Sequence, residues 1–209
     1  MRLYIHRLLF FVLLAGLLPL TAIAKHKHKK SVPDEILPFI IKGYSVLDTK
    51  SGDINKDGID DIILILKKDG EDSTSVVTDH PEARPLLLLI RSRNDKLTLA
   101  ARNDSTVYCV NCGGMLGDPY IEIVIKNGYF TIEHYGGSSW RWTRDITYKY
   151  STKDKWWYLH RDGSTYMKMN PSDDPDAEVM IKDGPDEIRT EKNFGKVRFE
   201  DFSIYKEYK

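Results

Sequence analysis

Asn127-Gly128 stands between two runs of β-forming residues, 121–126 and 129–135. Both central positions of a type I′ turn need a positive φ, which Asn and Gly tolerate best, so the pair predicts a tight antiparallel hairpin. Phe130, Ile132 and His134 then share one face. In the next run Trp140, Trp142, Ile146, Tyr148 and Tyr150 keep one parity, and Arg141, Thr143, Asp145, Thr147 and Lys149 take the other. That alternation predicts a strand with a core face and a wet face, placing Trp140 and Trp142 in the core. Residues 151–155 turn the chain into 156–161, and Asp162-Gly163 reads as a further hairpin turn into 164–169.

Earlier in the chain, residues 62–66 and 85–90 are continuous apolar runs, and 97–99 and 120–126 carry β-rich alternation. Residues 33–42 contain Pro38, which permits a short helix or turn and little more. Asn170 to Asp176 reads as a Pro/Asp loop, and alternation resumes at Lys196-Val197-Arg198-Phe199. No stretch beyond residue 42 has both helical period and length. The expectation is a mainly β fold of antiparallel meanders and hairpins, with little helix and eight to ten strands. Residues 32–209 form a single domain, a sandwich or a propeller-like sheet. A composition of 41% hydrophobic and 30% charged residues excludes disorder for most of the chain.

The first residues read as a targeting signal. Arg2, His6 and Arg7 precede an apolar run at 8–20, and Ala22-Ile23-Ala24 offers the small residues of a signal-peptidase site. The run is shorter than the roughly 20 residues of a membrane helix, so residues 1–24 are expected to be cleaved. No stable membrane span is then expected, and the location is periplasmic or extracellular, as for an exported bacterial protein. Residues 25–31 form a basic tail whose His26 and His28 alternate with lysines; a solvated tail is expected there rather than a metal site. Equal numbers of basic and acidic residues, 31 each, give no field for nucleic acid. A partner, if any, is expected to be an envelope protein or a glycan.

The string from Gly52 to Asp61 reads Gly-Asp-Ile-Asn-Lys-Asp-Gly-Ile-Asp-Asp. It puts oxygen-bearing side chains at loop positions 1, 3 and 5, glycine at 6 and carboxylate at 9. Calcium takes six to eight hard oxygens, and Asp53, Asn55, Asp57 and Asp61 with the Ile59 carbonyl supply a set of that kind. An EF-hand would need an acidic residue where Leu64 stands, and a helix where an apolar β run follows. The string resembles instead the D-x-N-x-D-G-x-x-D loop of FG-GAP/VCBS-type repeats, the calcium repeats of integrin-like propellers. Those repeats occur in tandem, and one full loop is present here. The resemblance implies structural calcium; the alternative is an Asp/Asn/Gly turn that caps a hairpin without metal.

A wider layout includes 43–48, the Asp/Asn loop, 84–88, Cys109-Val110-Asn111-Cys112-Gly113-Gly114 and the 134–140 segment His-Tyr-Gly-Gly-Ser-Ser-Trp. It is similar to a group of uncharacterised exported bacterial proteins with no assigned reaction, so the resemblance implies no activity.

Cys109 and Cys112 admit three readings: a small structural disulfide, a redox pair, or zinc with His80, His134 or His160. The disulfide is preferred for an oxidising compartment. A possible ligand surface is drawn from Trp156, Trp157, Tyr135 and Trp140; because Trp156 and Trp157 are adjacent, one of them must face outward. No catalytic motif is found, neither G-x-S-x-G, H-E-x-x-H nor G-x-x-x-x-G-K. Pairs such as His134 with Asp145, or the Asp173, Asp174 and Asp176 cluster, read as ordinary polar positions. The function expected is a calcium-stabilised β module that binds or supports at the cell envelope, and the alternative is a periplasmic hydrolase or carbohydrate-processing enzyme.

Overall fold

The computed structural model describes residues 32–206. The signal expected at 1–24 and the basic tail at 25–31 lie outside the described residues. A 3-10 helix, Asp34–Phe39, precedes the first sheet and contains Pro38. Strands β1 (Tyr44–Gly52), β2 (Asp61–Lys68), β3 (Leu86–Arg91) and β4 (Leu97–Asn103) follow as an antiparallel meander in the order β1-β2-β3-β4. A single helical turn, α1 (Glu71–Thr74), lies between β2 and β3.

The second sheet takes β5 (Tyr120–Lys126), β6 (Tyr129–Gly137), β7 (Trp140–Ser151) and β8 (Trp156–Met169), then β9 (Met180–Lys182) and β10 (Glu187–Thr190). Its order is β10-β8-β7-β6-β5, with β9 paired to the far half of β8. A second helical turn, α2 (Glu191–Phe194), follows β10. The fold is therefore mainly antiparallel β, built as two open sheets, neither of which closes into a barrel.

The continuous apolar runs have a direct cause: the first sheet is buried on both faces. Ile63, Ile65, Leu86, Leu88 and Ala101 face a core shared with Ile123, Phe130, Ile132, Ile146, Tyr148 and Trp157 of the second sheet. Ile62, Leu64, Leu66, Leu87, Leu89 and Leu97 face the other way and pack under Ile36, with Phe39, Ile40 and Ile41 beside it. Each such aliphatic side chain contributes roughly 1.5–3 kcal/mol on full burial. The second sheet has one core face, and the hairpin at Asn127-Gly128 forms with φ of 54° and 72°. Phe130, Ile132 and His134 all turn inward.

Three expectations are corrected. Asp162-Gly163 is not a turn: β8 runs straight through it, pairing Asp162 with Ile146 and Gly163 with Asp145. Asp162 is held there by the Arg144 guanidinium. Gly163 keeps extended backbone and lies beneath the Arg161 guanidinium, the movable end of a long side chain. Trp140 is not in the core but 66% exposed, because it sits at the end of β7 beyond the buried part of the sheet. Residues 196–199 give only one isolated bridge, Tyr158 to Arg198, before a 3-10 helix, Phe199–Asp201, carries Phe199 into the core.

Arg84 is fully buried and joins three segments. Its Nε donates to both Glu71 carboxylate oxygens (3.2 and 3.1 Å), and Nη2 donates to Glu71 (2.6 Å) and Asp118 (2.7 Å). Nη1 donates to the other Asp118 oxygen (2.7 Å) and to the Tyr108 carbonyl (3.2 Å). Burial works against the charged guanidinium, and the bonds to Asp118 and Glu71 outweigh it, so its pKa is raised. Replacing Arg84 by Ala leaves Glu71, 3% exposed, as an uncompensated buried charge. The expected loss is about 3–5 kcal/mol in urea unfolding, and a loss below about 1 kcal/mol would show that the network carries no stability.

Candidate metal centre

The residues between β1 and β2 form the candidate loop, and its side chains fold back on its own backbone. The two Asp53 carboxylate oxygens accept the N–H groups of Lys56 (2.6 Å) and Gly58 (3.0 Å). Asn55 Oδ1 accepts from Asp57 N–H at 2.9 Å, and Asp57 Oδ1 accepts from Ile59 N–H at 2.9 Å. Asn55 Nδ2 donates to Asp57 Oδ2. This curl requires left-handed backbone at Lys56 (φ 64°) and Gly58 (φ 83°), which is the physical reason for glycine at loop position 6.

Asp61 is fully buried at the start of β2. Its Oδ2 accepts from Ile54 N–H (3.2 Å) and its Oδ1 from Arg91 N–H (2.9 Å). Burial pushes its carboxyl up to about 6; the N–H donors of Arg91 and Ile54 oppose the rise, and the charges of Asp57 and Asp53 add to it. Ile54, whose N–H is held by Asp61, is itself fully buried in the shared core. Its carbonyl accepts from the Trp157 indole at 2.8 Å, so the loop is fastened to the second sheet as well as the first.

The donor set suits a hard divalent cation. A carboxylate accepts about four hydrogen bonds or metal contacts, and each oxygen of Asp53, Asp57 and Asp61 accepts one N–H bond, leaving lone pairs for an ion. The three charges repel one another, which a cation would relieve. Among the described residues, however, no three His, Cys, Asp or Glu side chains converge as a ready metal cluster. Asn55 and the Ile59 carbonyl belong to the expected set, and the carboxylates are spread along the loop backbone instead of meeting at one point.

The aromatic residues do not form the single surface that the sequence suggests. Trp157 is 3% exposed and belongs to the core. Trp156 is the outward one, but its indole donates to Glu200 (2.7 Å) and its ring lies under Arg198 (4.6 Å). It stands opposite Ser151 at one end of β7, whereas Trp140 and the Tyr135 partner Thr143 lie toward the other. Trp140 donates to Asp183, and Tyr135 accepts from Arg141.

Cys109 and Cys112 form a disulfide, so no described cysteine is free for zinc. Tyr205 secures this turn by accepting the Cys109 N–H at 2.9 Å. His134 is 1% exposed, with one ring nitrogen on the Arg144 carbonyl and the other accepting from Tyr108 N–H. It lies on the opposite face of β6–β7 from Asp145, so those two residues make no acid–base pair.

Sequence reasoning missed a polar group inside the second sheet. Arg144 donates through Nε and Nη2 to both oxygens of Asp162 (2.9 Å each), and through Nη1 to Tyr108 Oη and the Ile204 carbonyl. The signal was present: Arg144 interrupts the apolar parity of β7. Around this ion pair, Tyr108, Trp142, Tyr166 and Tyr205 line a cleft of about 420 Å³.

No helix among the described residues is long and apolar enough to cross a membrane. No protein-family model, curated protein or solved structure matches the chain.

Two predictions follow from this geometry. The disulfide closes a loop only three residues apart in sequence, so the double variant Cys109→Ser/Cys112→Ser should lose about 2 kcal/mol in urea unfolding. A loss near 5 kcal/mol would contradict a merely local clasp.

The second concerns His134, where burial lowers the pKa to about 4; the Arg144 carbonyl raises it, and the Arg144 and Arg84 charges lower it further. The folded ring refuses a proton that the unfolded chain takes up near pH 6.5. The stability this represents is present above pH about 6.5 and is lost as the pH falls through about 4, by about 3 kcal/mol. Unfolding of wild type and His134→Gln across that window isolates the effect from Asp61, whose raised value slopes the opposite way. Parallel curves would refute it.

Proposed function

We propose that the chain is an exported β module stabilised by structural calcium, acting through binding or mechanical support at the cell envelope. The observation that carries this reading is the position of Ile54, between Asp61 of the first sheet and the Trp157 indole of the second. An ion ordering the Asp53–Asn55–Asp57 curl would stiffen the joint between the sheets. Asp53, Asn55, Asp57 and Asp61 would hold it through side-chain oxygens and Ile59 through its carbonyl. Calcium would supply charge neutralisation there, and an extracellular setting holds it at the millimolar level such modules use. The loop places no acid or base beside a reacting group. In the aromatic cleft, both oxygens of Asp162 are taken by Arg144, which leaves Glu187 as the one uncommitted carboxylate of the lining where a glycosidase uses a pair, and this favours binding over the hydrolase alternative.

A ligand bound only to the folded state raises its melting temperature. At calcium about 100-fold above its Kd, the gain is about 2.7 kcal/mol, or roughly 5–10 °C for a chain of this size. The measurement is thermal unfolding of the purified protein in millimolar calcium and in chelator, repeated on Asp57→Ala. A rise with calcium that the variant lacks is expected. Equal midpoints in calcium and chelator would reduce the loop to a metal-free turn.

A further inference from the structure

The cleft over the Arg144–Asp162 pair is separate from the calcium loop and has its own chemistry. Its floor is β7 and β8, where Trp142 stands directly opposite Tyr166. The two residues share one face, with the Trp142 ring lying over Gly136 of β6; Tyr108 meets Trp142 edge-on (5.5 Å) and Tyr205 meets Tyr108 edge-on (5.6 Å). Tyr166 and Tyr205 are 40% and 42% exposed, so the aromatic lining opens outward and is not sealed into the core.

One wall is β10, which places Arg189 opposite Asp162 and Glu187 opposite Ser164. Asp162 is already held by Arg144, and the half-buried Arg189 guanidinium has no hydrogen bond or ion pair with any described residue. A guanidinium presents five donors in a planar fork that matches a carboxylate. With Arg144 and Asp162 cancelling, Arg189 and Lys206 against Glu187 leave the lining with one excess positive charge.

We propose that this cleft binds an acidic saccharide. The ring of a sugar packs against the exposed Tyr166, Arg189 takes its carboxylate in a forked hydrogen bond, and Ser164 and Glu187 bond to its hydroxyls. A volume of about 420 Å³ is in the range of small-ligand sites. An extended peptide suits the cleft less well. The floor strands are paired on both sides, β7 with β6 and β8, and β8 with β10, so the floor itself offers no free edge for backbone pairing. Ile204 is the one aliphatic side chain in the lining, which gives apolar peptide side chains little to fill.

The assignment rests on the reading of the chain as a binding module but not on calcium, so the two fail separately. The test is a tryptophan-fluorescence titration of the purified protein with trigalacturonate and with its methyl-esterified form. The expected result is saturable binding of trigalacturonate, at least about tenfold tighter than the ester. Arg189→Gln, at a half-buried position, should erase that preference while the melting temperature stays unchanged. Tyr166→Ala should weaken both forms.

Oligosaccharides of glucuronate and of sialic acid extend the panel, and saturable binding of either, with the same dependence on Arg189, supports the proposal equally. It is overturned if no acidic saccharide binds saturably, if acid and ester bind alike, if Arg189→Gln keeps the preference, or if an acidic peptide binds more tightly than every saccharide.

Discussion

Burial of the first sheet on both faces is the constraint from which most of the architecture follows. Strands such as β2 and β3 present aliphatic side chains up and down, and a sheet of that kind needs two covers. The segment containing Ile36 and Phe39 supplies one cover and the second sheet supplies the other. Once both faces are dry, every polar group carried inside must find a partner locally, because an unpaired buried group costs more than a made bond returns. Among the described residues no buried side-chain nitrogen or oxygen is left without one. Arg84 meets this demand with two carboxylates, and Asn103 meets it by donating to the Phe199 and Phe202 carbonyls, which ties the last described segment to β4.

Asp61 occupies the most exacting of these positions. It is both a structural acceptor for Ile54 and Arg91 and the most buried carboxylate in a loop with four aspartates. Its raised pKa expresses the conflict: the protein surrounds it with N–H donors yet removes it from water and sets Asp53 and Asp57 nearby. A turn selected only for chain reversal has no need of that accumulation of charge. A loop that took a cation would, since the same charges that repel one another when it is empty would each attract the ion when it is filled. The stem is meanwhile kept in register by Trp157, a residue of the opposite sheet, so the loop is a joint between layers and not a free surface hairpin.

What could be read from the sequence was what depends on neighbours along the chain. Asn127-Gly128 acts through its own φ angles, and the turn formed where it was expected. Alternation in β6 acts through the pleat and placed Phe130, Ile132 and His134 inward. Asp162-Gly163 has the same local chemistry as a turn and fails, because Arg144 across the strand pair supplies Asp162 with a partner that only extended backbone can reach. Trp140 fails because parity says which face a residue is on but not how far the cover extends along the strand. The outward-facing member of Trp156-Trp157 was foreseeable as a fact but not as a choice. The Arg84 network, spanning Glu71 to Asp118, had no signal within a short window of sequence. Arg144 was visible as a break in parity, and such a break in an otherwise apolar row is the local trace of a buried ion pair.

The positions of the loop and the cleft along the same two strands determine how they can influence each other. Tyr150 and Trp157 are register partners at the loop end, and Trp142 and Tyr166 are register partners at the cleft end. Trp142 and Tyr150 lie eight steps apart along β7, about 27 Å at the rise of an antiparallel strand. Over that distance exposed charges are screened, the Debye length being about 8 Å at physiological salt. Between them the strand is held on both sides by ladder hydrogen bonds, with a register shift against β8 at Thr147/Tyr148, and by the buried Ile146 and Tyr148. An ion held at the loop would therefore act on the cleft through the population of folded molecules more than through its shape. If the loop holds an ion and the cleft a ligand, affinity per folded molecule would be little changed by the ion, while the temperature range over which the cleft exists would shift with it.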